Sequence, residues 1–229
     1  MHGRRGPFGA HCGPPGAGGR GFGPFRRRGY PQGQLREALR EAARSLLAER
    51  GAAGFTLGDA AKLAGVSAAA PYRHFRDRDA LLSEVAAEGF RRFGFALASA
   101  LEEEADPEAG LEAMGRAYLA FAHREPGLYA AMFDRVVPTE PGGQNGEDAD
   151  AAHAGGQAFE ALVQGLGAVL AGRGRPELDP RPVALQVWSL AHGVASLARA
   201  GHLGPQCGND PASVLLDGTR AIVGTALRA

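Results

Sequence analysis

Two cysteines, Cys12 and Cys207, are all that this chain of 229 residues carries, and they sit near opposite ends. That count excludes a disulfide framework, and the spacing excludes a paired-cysteine zinc site. No apolar run approaches the roughly 20 residues that a membrane-spanning helix needs. The opening stretch, MHGRRGPFGAHCGPPGAGGRG, has no apolar core of a secretory signal. A cytoplasmic chain with no membrane partner is expected. Runs of β-branched residues are missing too, so no strand is expected and the fold class reads as all-α. No nucleophile elbow, phosphate-binding loop or dinucleotide fingerprint occurs. Ser67, Ser189 and Ser196 have no local nucleophile context. The histidines (His2, His11, His74, His123, His153, His192 and His202) form no i, i+4 pair. No enzyme activity, metal or cofactor is therefore expected.

What is present is a charge segregation. Lysine plus arginine and aspartate plus glutamate both number 25, for a formal net charge of zero. Up to Gln34, however, stand six arginines and no acid; residues 35–78 add eight basic and five acidic groups, so the first 78 residues carry +6 + 3 = +9. The remainder carries −9. A basic head on an acidic body suits a nucleic-acid-facing domain joined to a solvated one. Residues 1–33 are rich in Gly, Pro, Arg and Phe without periodicity, and are expected to be a disordered arm. Its last arginines, Arg26, Arg27 and Arg28, stand where an arm could reach a minor groove or phosphates. A passive tail is the alternative.

The most informative stretch is residues 56–82, TLGDAAKLAGVSAAAPYRHFRDRDALL. Leu57, Ala60, Ala61 and Ala64 line one helical face, Thr56 is an N-cap candidate and Gly65 a left-handed C-cap. Ser67 opens a second helix expected over residues 68–75, with Pro71 tolerable near its first turn. Asp77 caps a third. A helix, a glycine-containing turn and a second helix is the helix-turn-helix plan, whose second helix enters the major groove. An ordinary corner between helices has the same spacing. The residues decide for DNA: Tyr72, Arg73, His74, Arg76 and Arg78 gather phosphate-capable donors that a structural corner does not need.

Residues 35–82, with L-x-x-A-A-x-L-L-x-x-x-G followed by F-T-L-x-x-x-A-x-L-A-G-V-S-x-x-x-x-Y-R-H-F-x-x-R-D-A-L-L, resemble the N-terminal domain of TetR-family transcriptional regulators. The resemblance implies that Thr56, Tyr72, His74 and Arg78 hold the DNA backbone. Ser67 caps the recognition helix, and Ala68, Ala69, Ala70 and Arg73 face base edges. Three alanines carry no hydrogen-bonding side chain, so they can only touch thymine methyls or allow close approach. Direct base reading then falls mostly on Arg73, with shape readout supplying the rest.

The domain organisation expected is an arm over 1–33, a helix-turn-helix domain over 34–80 and a helical ligand-binding and dimerisation domain over 81–229. Helices are expected over residues 34–49, 79–104, 107–124, 126–133, 150–171, 180–201 and 211–227, with a Pro/Gly/acid loop over 137–149. Glycines 155, 156, 165 and 167 predict close helix packing or local mobility. The family likeness implies that the last two helices pair with those of a second copy. V-W-S-L-A-H-G-V-A-S-L is similar to the signature of its Trp-His-Gly subfamily. Phe90, Phe93, Tyr118, Phe121, Ala122, Tyr129, Met132, Phe133, Phe159, Trp188 and His192 form a candidate pocket for an apolar or aromatic effector. Plain core packing is the alternative for each of them. The function expected is a sequence-specific regulator, a ligand-released repressor on a palindromic operator. A helical ligand-binding or enzymatic protein with an incidental helix-turn-helix, or an architectural DNA-binding protein, would be the other classes.

Overall fold

The computed structural model describes residues 34–134 and 146–228, and only the backbone of 146–152. Among the described residues the chain forms eight α-helices and no sheet strand. They are α1 (Gln34–Arg50), α2 (Leu57–Ala64), α3 (Arg78–Glu102), α4 (Pro107–Arg124), α5 (Pro126–Phe133), α6 (Gly146–Gly172), α7 (Pro180–Arg199) and α8 (Pro211–Ala226). Short 3-10 helices occupy Pro71–Arg73 and Pro205–Cys207. The expected 1–33 arm and most of the expected 137–149 loop lie outside the described residues. The last residues of that loop, from Gly146, are already helical.

Aspartate sets half of the eight helix starts. Asp77, Asp106, Asp179 and Asp210 each accept a backbone N–H from the first turn that follows. The last three are followed directly by proline, whose missing N–H is one that the first turn leaves unpaired in any case. At α2 the cap is reciprocal. The Asp59 N–H donates to Thr56 Oγ1 at 3.2 Å, while the Thr56 N–H donates to Asp59 Oδ2 at 2.8 Å. Gly65 closes α2 with φ 75°. Its N–H reaches the Lys62 carbonyl and that of Val66 the Ala61 carbonyl, the double bond that ends a helix in a sharp turn.

The second helix expected over 68–75 does not form. In its place a turn over 68–70 leads into the 3-10 helix Pro71–Arg73. Its hydrogen bonds run from Arg73 N to Ala70 O at 3.3 Å and from His74 N to Pro71 O at 2.8 Å, both of the shorter i to i+3 kind, with one i to i+4 bond from Phe75 N to Pro71 O at 2.9 Å where it ends. Pro71 has no N–H to give the Ser67 carbonyl and its ring crowds that turn, so the α bond that would close the first turn is missing.

The head closes over Leu39, Leu46, Leu47, Phe55, Phe75 and Leu82, all buried. Phe55 plugs this small core as expected. α1 is also tied to α3 by charge: Arg36 pairs with Glu84, and Arg44 Nη1 lies 2.9 Å from Glu88 Oε1. α3 then runs on into the body, where Phe93 and Leu97 are buried. There α6 lies against it with glycine at the near approaches. A Cβ on Gly165 would stand 3.1 Å from Leu101, and one on Gly155 3.3 Å from Phe90. Gly156 faces open space, so only part of the glycine run serves packing. Cys12 lies outside the described residues. Among the described residues, no helix is long and apolar enough to cross a membrane.

Candidate nucleic-acid interface and ligand site

The turn after α2 presents its side chains outward. Ser67, Ala68, Ala69, Tyr72 and Arg73 are exposed, and Ala70 and His74 half-buried. Pro71 and Phe75 point the other way, and both are buried. This alternation holds the 3-10 segment to the head by Pro71 and Phe75, and offers Tyr72 and Arg73 to whatever docks.

The guanidinium groups here differ. Arg76 Nε donates to Asp77 Oδ2 at 2.8 Å. Arg78 Nη2 donates to Asp79 Oδ1 at 3.2 Å, and its guanidinium lies 6.0 Å from the centre of the Phe55 ring. Arg73 makes no side-chain hydrogen bond or ion pair among the described residues. It therefore has all its donors available, and nothing must be broken before it binds.

Thr56 is placed less simply. Its hydroxyl donates to Asp59 Oδ2 at 2.6 Å. It can give a bond to a phosphate only by releasing that carboxylate. The hydrogen bond from the Thr56 hydroxyl, followed by that from its N–H, holds the Asp59 carboxyl below its ordinary value. Asp59 is thus a fixed negative charge in the first turn of α2. Arg26, Arg27 and Arg28 lie outside the described residues.

The second set of predicted residues comes together in the body. Phe93, on α3, is the hub. Its ring meets Tyr118 at 4.9 Å, Phe121 at 5.2 Å and Trp188 at 5.8 Å, all edge to face. Phe133 stands 5.5 Å from Phe90, and Phe159 stands 5.8 Å from Trp188. Ala122 and Met132 are buried in the same core. One polar thread runs through it. The Tyr118 and Tyr129 hydroxyls are 3.3 Å apart, and the Tyr129 hydroxyl is 3.0 Å from His192 Nδ1. Burial above all pushes both phenols up, so both remain neutral hydroxyls at neutral pH.

These residues pack on one another rather than around a void. The adjoining cavity, against Trp188, Tyr118 and Met114, holds about 30 Å³. The edge-to-face rings fill space that their side-chain volumes could have lined, and this cavity is far smaller than a ligand site. The larger concavity lies beside the cluster. A groove of about 800 Å³ runs between the α4–α5 corner, the end of α7 and the loop after it. It includes Arg199, which covers the Tyr129 ring at 4.9 Å and has Nη2 3.5 Å from Asp134 Oδ2. Sequence reasoning missed Arg199. The signal was available, since Arg199 follows His192 by two helical turns and so shares its face.

Residues 39–85 match the family described as bacterial regulatory proteins, tetR family. Residues 111–220 match the tetracyclin repressor-like C-terminal domain. No curated protein matches the chain. Among solved structures, a protein of unknown function from Rhodococcus sp. RHA1 is 32% identical with a TM-score of 0.70, covering 86% of this chain and 97% of that one. PfmR, a TetR family transcriptional regulator from Thermus thermophilus, is 22% identical with a TM-score of 0.62, over 83% and 97% of the two chains. AibR in complex with isovaleryl coenzyme A and operator DNA is 18% identical with a TM-score of 0.61, over 83% and 97%. At such identities the last two speak for the fold alone.

Proposed function

The chain belongs to the TetR family and is a DNA-binding transcriptional regulator rather than an enzyme; from that premise we propose that it is a ligand-released repressor that binds a pseudo-palindromic operator as a homodimer. The observation that carries this reading is the exposed strip Ser67, Ala68, Ala69, Tyr72 and Arg73, with its one guanidinium uncommitted. Arg73 reads a base edge, the alanines lie against thymine methyls, and Tyr72, His74 and Arg78 hold phosphates. Thr56 serves the interface chiefly by fixing the start of α2. Two such strips meet successive major grooves about 34 Å apart.

The second copy is supplied through α7 and α8. Leu185 is 60% exposed and Leu197 47%, and with Ser189 and Gly193 they make one stripe along α7. Val214 on α8 is also exposed. Solvated leucines at helical spacing are what a partner helix covers. The run of Trp188, His192 and Gly193 supports reading the body as one of the Trp-His-Gly subfamily. The protein works in the cytoplasm, with an apolar or aromatic small molecule as effector. That AibR has been seen with both an acyl thioester and operator DNA supports a two-ligand reading of this fold. The effector acts by preferring a head spacing that the operator does not, and shifts the population accordingly.

The test is binding of the purified protein to the DNA upstream of its own gene, at several salt concentrations, with random DNA as competitor. A competitor-resistant complex whose affinity falls steeply with salt is expected. Binding that random DNA removes as easily as operator would point to an architectural role instead.

A further inference from the structure

We propose that the groove beside the α4–α5 corner binds a small amphipathic carboxylate, whose head takes the place of the Asp134 side chain on Arg199. The groove's volume of about 800 Å³ lies within the roughly 300–1,000 Å³ of ligand sites. Its lining is mostly small and apolar, with Ala122, Ala198 and Leu203 among it, and His123 and Arg199 are its basic groups. A smaller recess of about 280 Å³ shares Ala122, His123, Ala198 and Arg199 with it. Together they offer an apolar bed and one guanidinium.

Arg199 is held from behind and loosely occupied in front. The Tyr129 ring backs it at 4.9 Å. In front, a single contact of 3.5 Å reaches Asp134 Oδ2, long for a charged pair. A guanidinium fork is made for two parallel bonds to one carboxylate, and Asp134 supplies one poor one. The Arg199 side chain is 29% exposed and that of Asp134 44%, so the acid can leave for water more readily than the base. A ligand carboxylate that reaches the fork squarely therefore gains a bond that the resident one lacks. The other acid nearby does not compete: Asp210 accepts from Ser213 N at 3.0 Å and from Ser213 Oγ at 2.9 Å, as the cap of α8. One fork and one imidazole suit a single carboxylate better than a polyanion.

The site also borders the head. Ala48, in the last turn of α1, lines the groove together with Pro126 at the start of α5. A ligand there presses on both helices. Binding itself follows from this geometry alone, whereas release of DNA by the ligand rests on the regulator reading above.

The experiment is calorimetric titration of the full chain with 4-phenylbutyrate and decanoate, with their primary amides, and with phenyl phosphate. The carboxylates should bind about tenfold or more tighter than the amides, the scale of a charge-assisted pair. Arg199→Gln should erase that preference and Arg199→Lys retain part of it. Asp134→Asn, at an exposed carboxylate outside the core, should tighten the carboxylates severalfold by removing the resident competitor. Amides that bind equally well, a preference that survives Arg199→Gln, phenyl phosphate ahead of the carboxylates, or no binding by any probe would overturn the proposal. Operator release is then measured with the same carboxylate. Binding without release leaves the site standing and removes its regulatory role. Failure to bind any operator sinks the regulator reading, while calorimetry still decides the site.

Discussion

A Cβ placed on Gly127 would stand 2.1 Å from the carbonyl oxygen of Arg44. The backbones of α5 and α1 therefore touch, and α1 belongs to the DNA-binding head. On its other side α5 gives Tyr129 and Phe133 to the aromatic cluster and Met132 to α3, where a Cβ on Gly89 would lie 2.8 Å from Met132 Sδ. α5 thus touches both the candidate effector region and the head, which makes it a physical link between them. Gly127→Ala must force the two helices apart. A loss of about 1–3 kcal/mol is expected from overpacking, measured by urea denaturation. The folded fraction should also bind operator with altered affinity and answer effector weakly. Unchanged stability would mean that α5 can shift freely, and would remove it as a coupling element.

Arg73→Ala should cost about 1–3 kcal/mol on operator DNA if the guanidinium reads a guanine. The check is a set of operators with single base changes. The variant should tolerate one substitution that the parent rejects. A loss of equal size on operator and random DNA would make Arg73 a phosphate contact.

Tyr72→Phe combined with His74→Ala removes two donors from exposed or half-exposed positions without touching the buried Pro71 and Phe75. Affinity should fall alike for all sequences. Discrimination between operators should hold, because phosphate contacts position the protein and bases specify. Unchanged affinity would take both residues out of the interface.

Much of this architecture was legible because the chain marks its helix ends chemically. Thr56, Asp77 and Gly65 stand where caps are required, and the structure uses each of them. The recognition segment was misjudged for a local reason. Ser67 and three alanines favour a helix, yet one proline removes the bond that would start it, and the chain opens with i to i+3 bonds before a single i to i+4 bond at Phe75. The aromatic set was legible as a group, since helical spacing puts Phe93, Tyr118, Trp188 and His192 on inward faces. Whether inward faces leave a hole depends on how rings from four helices interlock, and periodicity does not carry that information. The approach of Gly127 to Arg44 was likewise invisible, because a glycine at a helix start has ordinary local uses. Arg199 was overlooked because arginine near a helix end reads as a solvated charge.

Leu185→Glu together with Leu197→Glu should disperse the homodimer proposed above. Both side chains are exposed on one stripe of α7, so a charge there costs the isolated chain little. Sedimentation should show a species of half the mass with an unchanged unfolding midpoint for the helical body. Operator affinity should fall steeply, since one head gains nothing from a second half-site. A dimer that persists in the double variant would place the interface elsewhere.

Acid should unsettle the fold from its helix starts. The Asp77 carboxyl lies below its ordinary value of 3.8 because the Ala80 N–H, and then Arg76, bond its ionised form. The Asp210 carboxyl is lowered in the same way, first by the Ser213 N–H. Asp59 is lowered by Thr56. In each case the folded value is depressed relative to the unfolded one. The stabilisation is therefore complete above the unfolded value and is lost as pH falls through the folded value. These three groups should contribute a constant amount between about pH 5 and pH 8 and a falling one below about pH 4. Asp77→Asn separates this from general acid denaturation. Asparagine still caps a helix but does not titrate in this range. The variant should start slightly less stable at neutral pH and lose stability less steeply in acid, as followed by thermal melts across pH. Parallel curves for the two proteins would mean that the carboxylate at position 77 has the same proton affinity folded and unfolded, and that its bonds to Ala80 and Arg76 add nothing to stability.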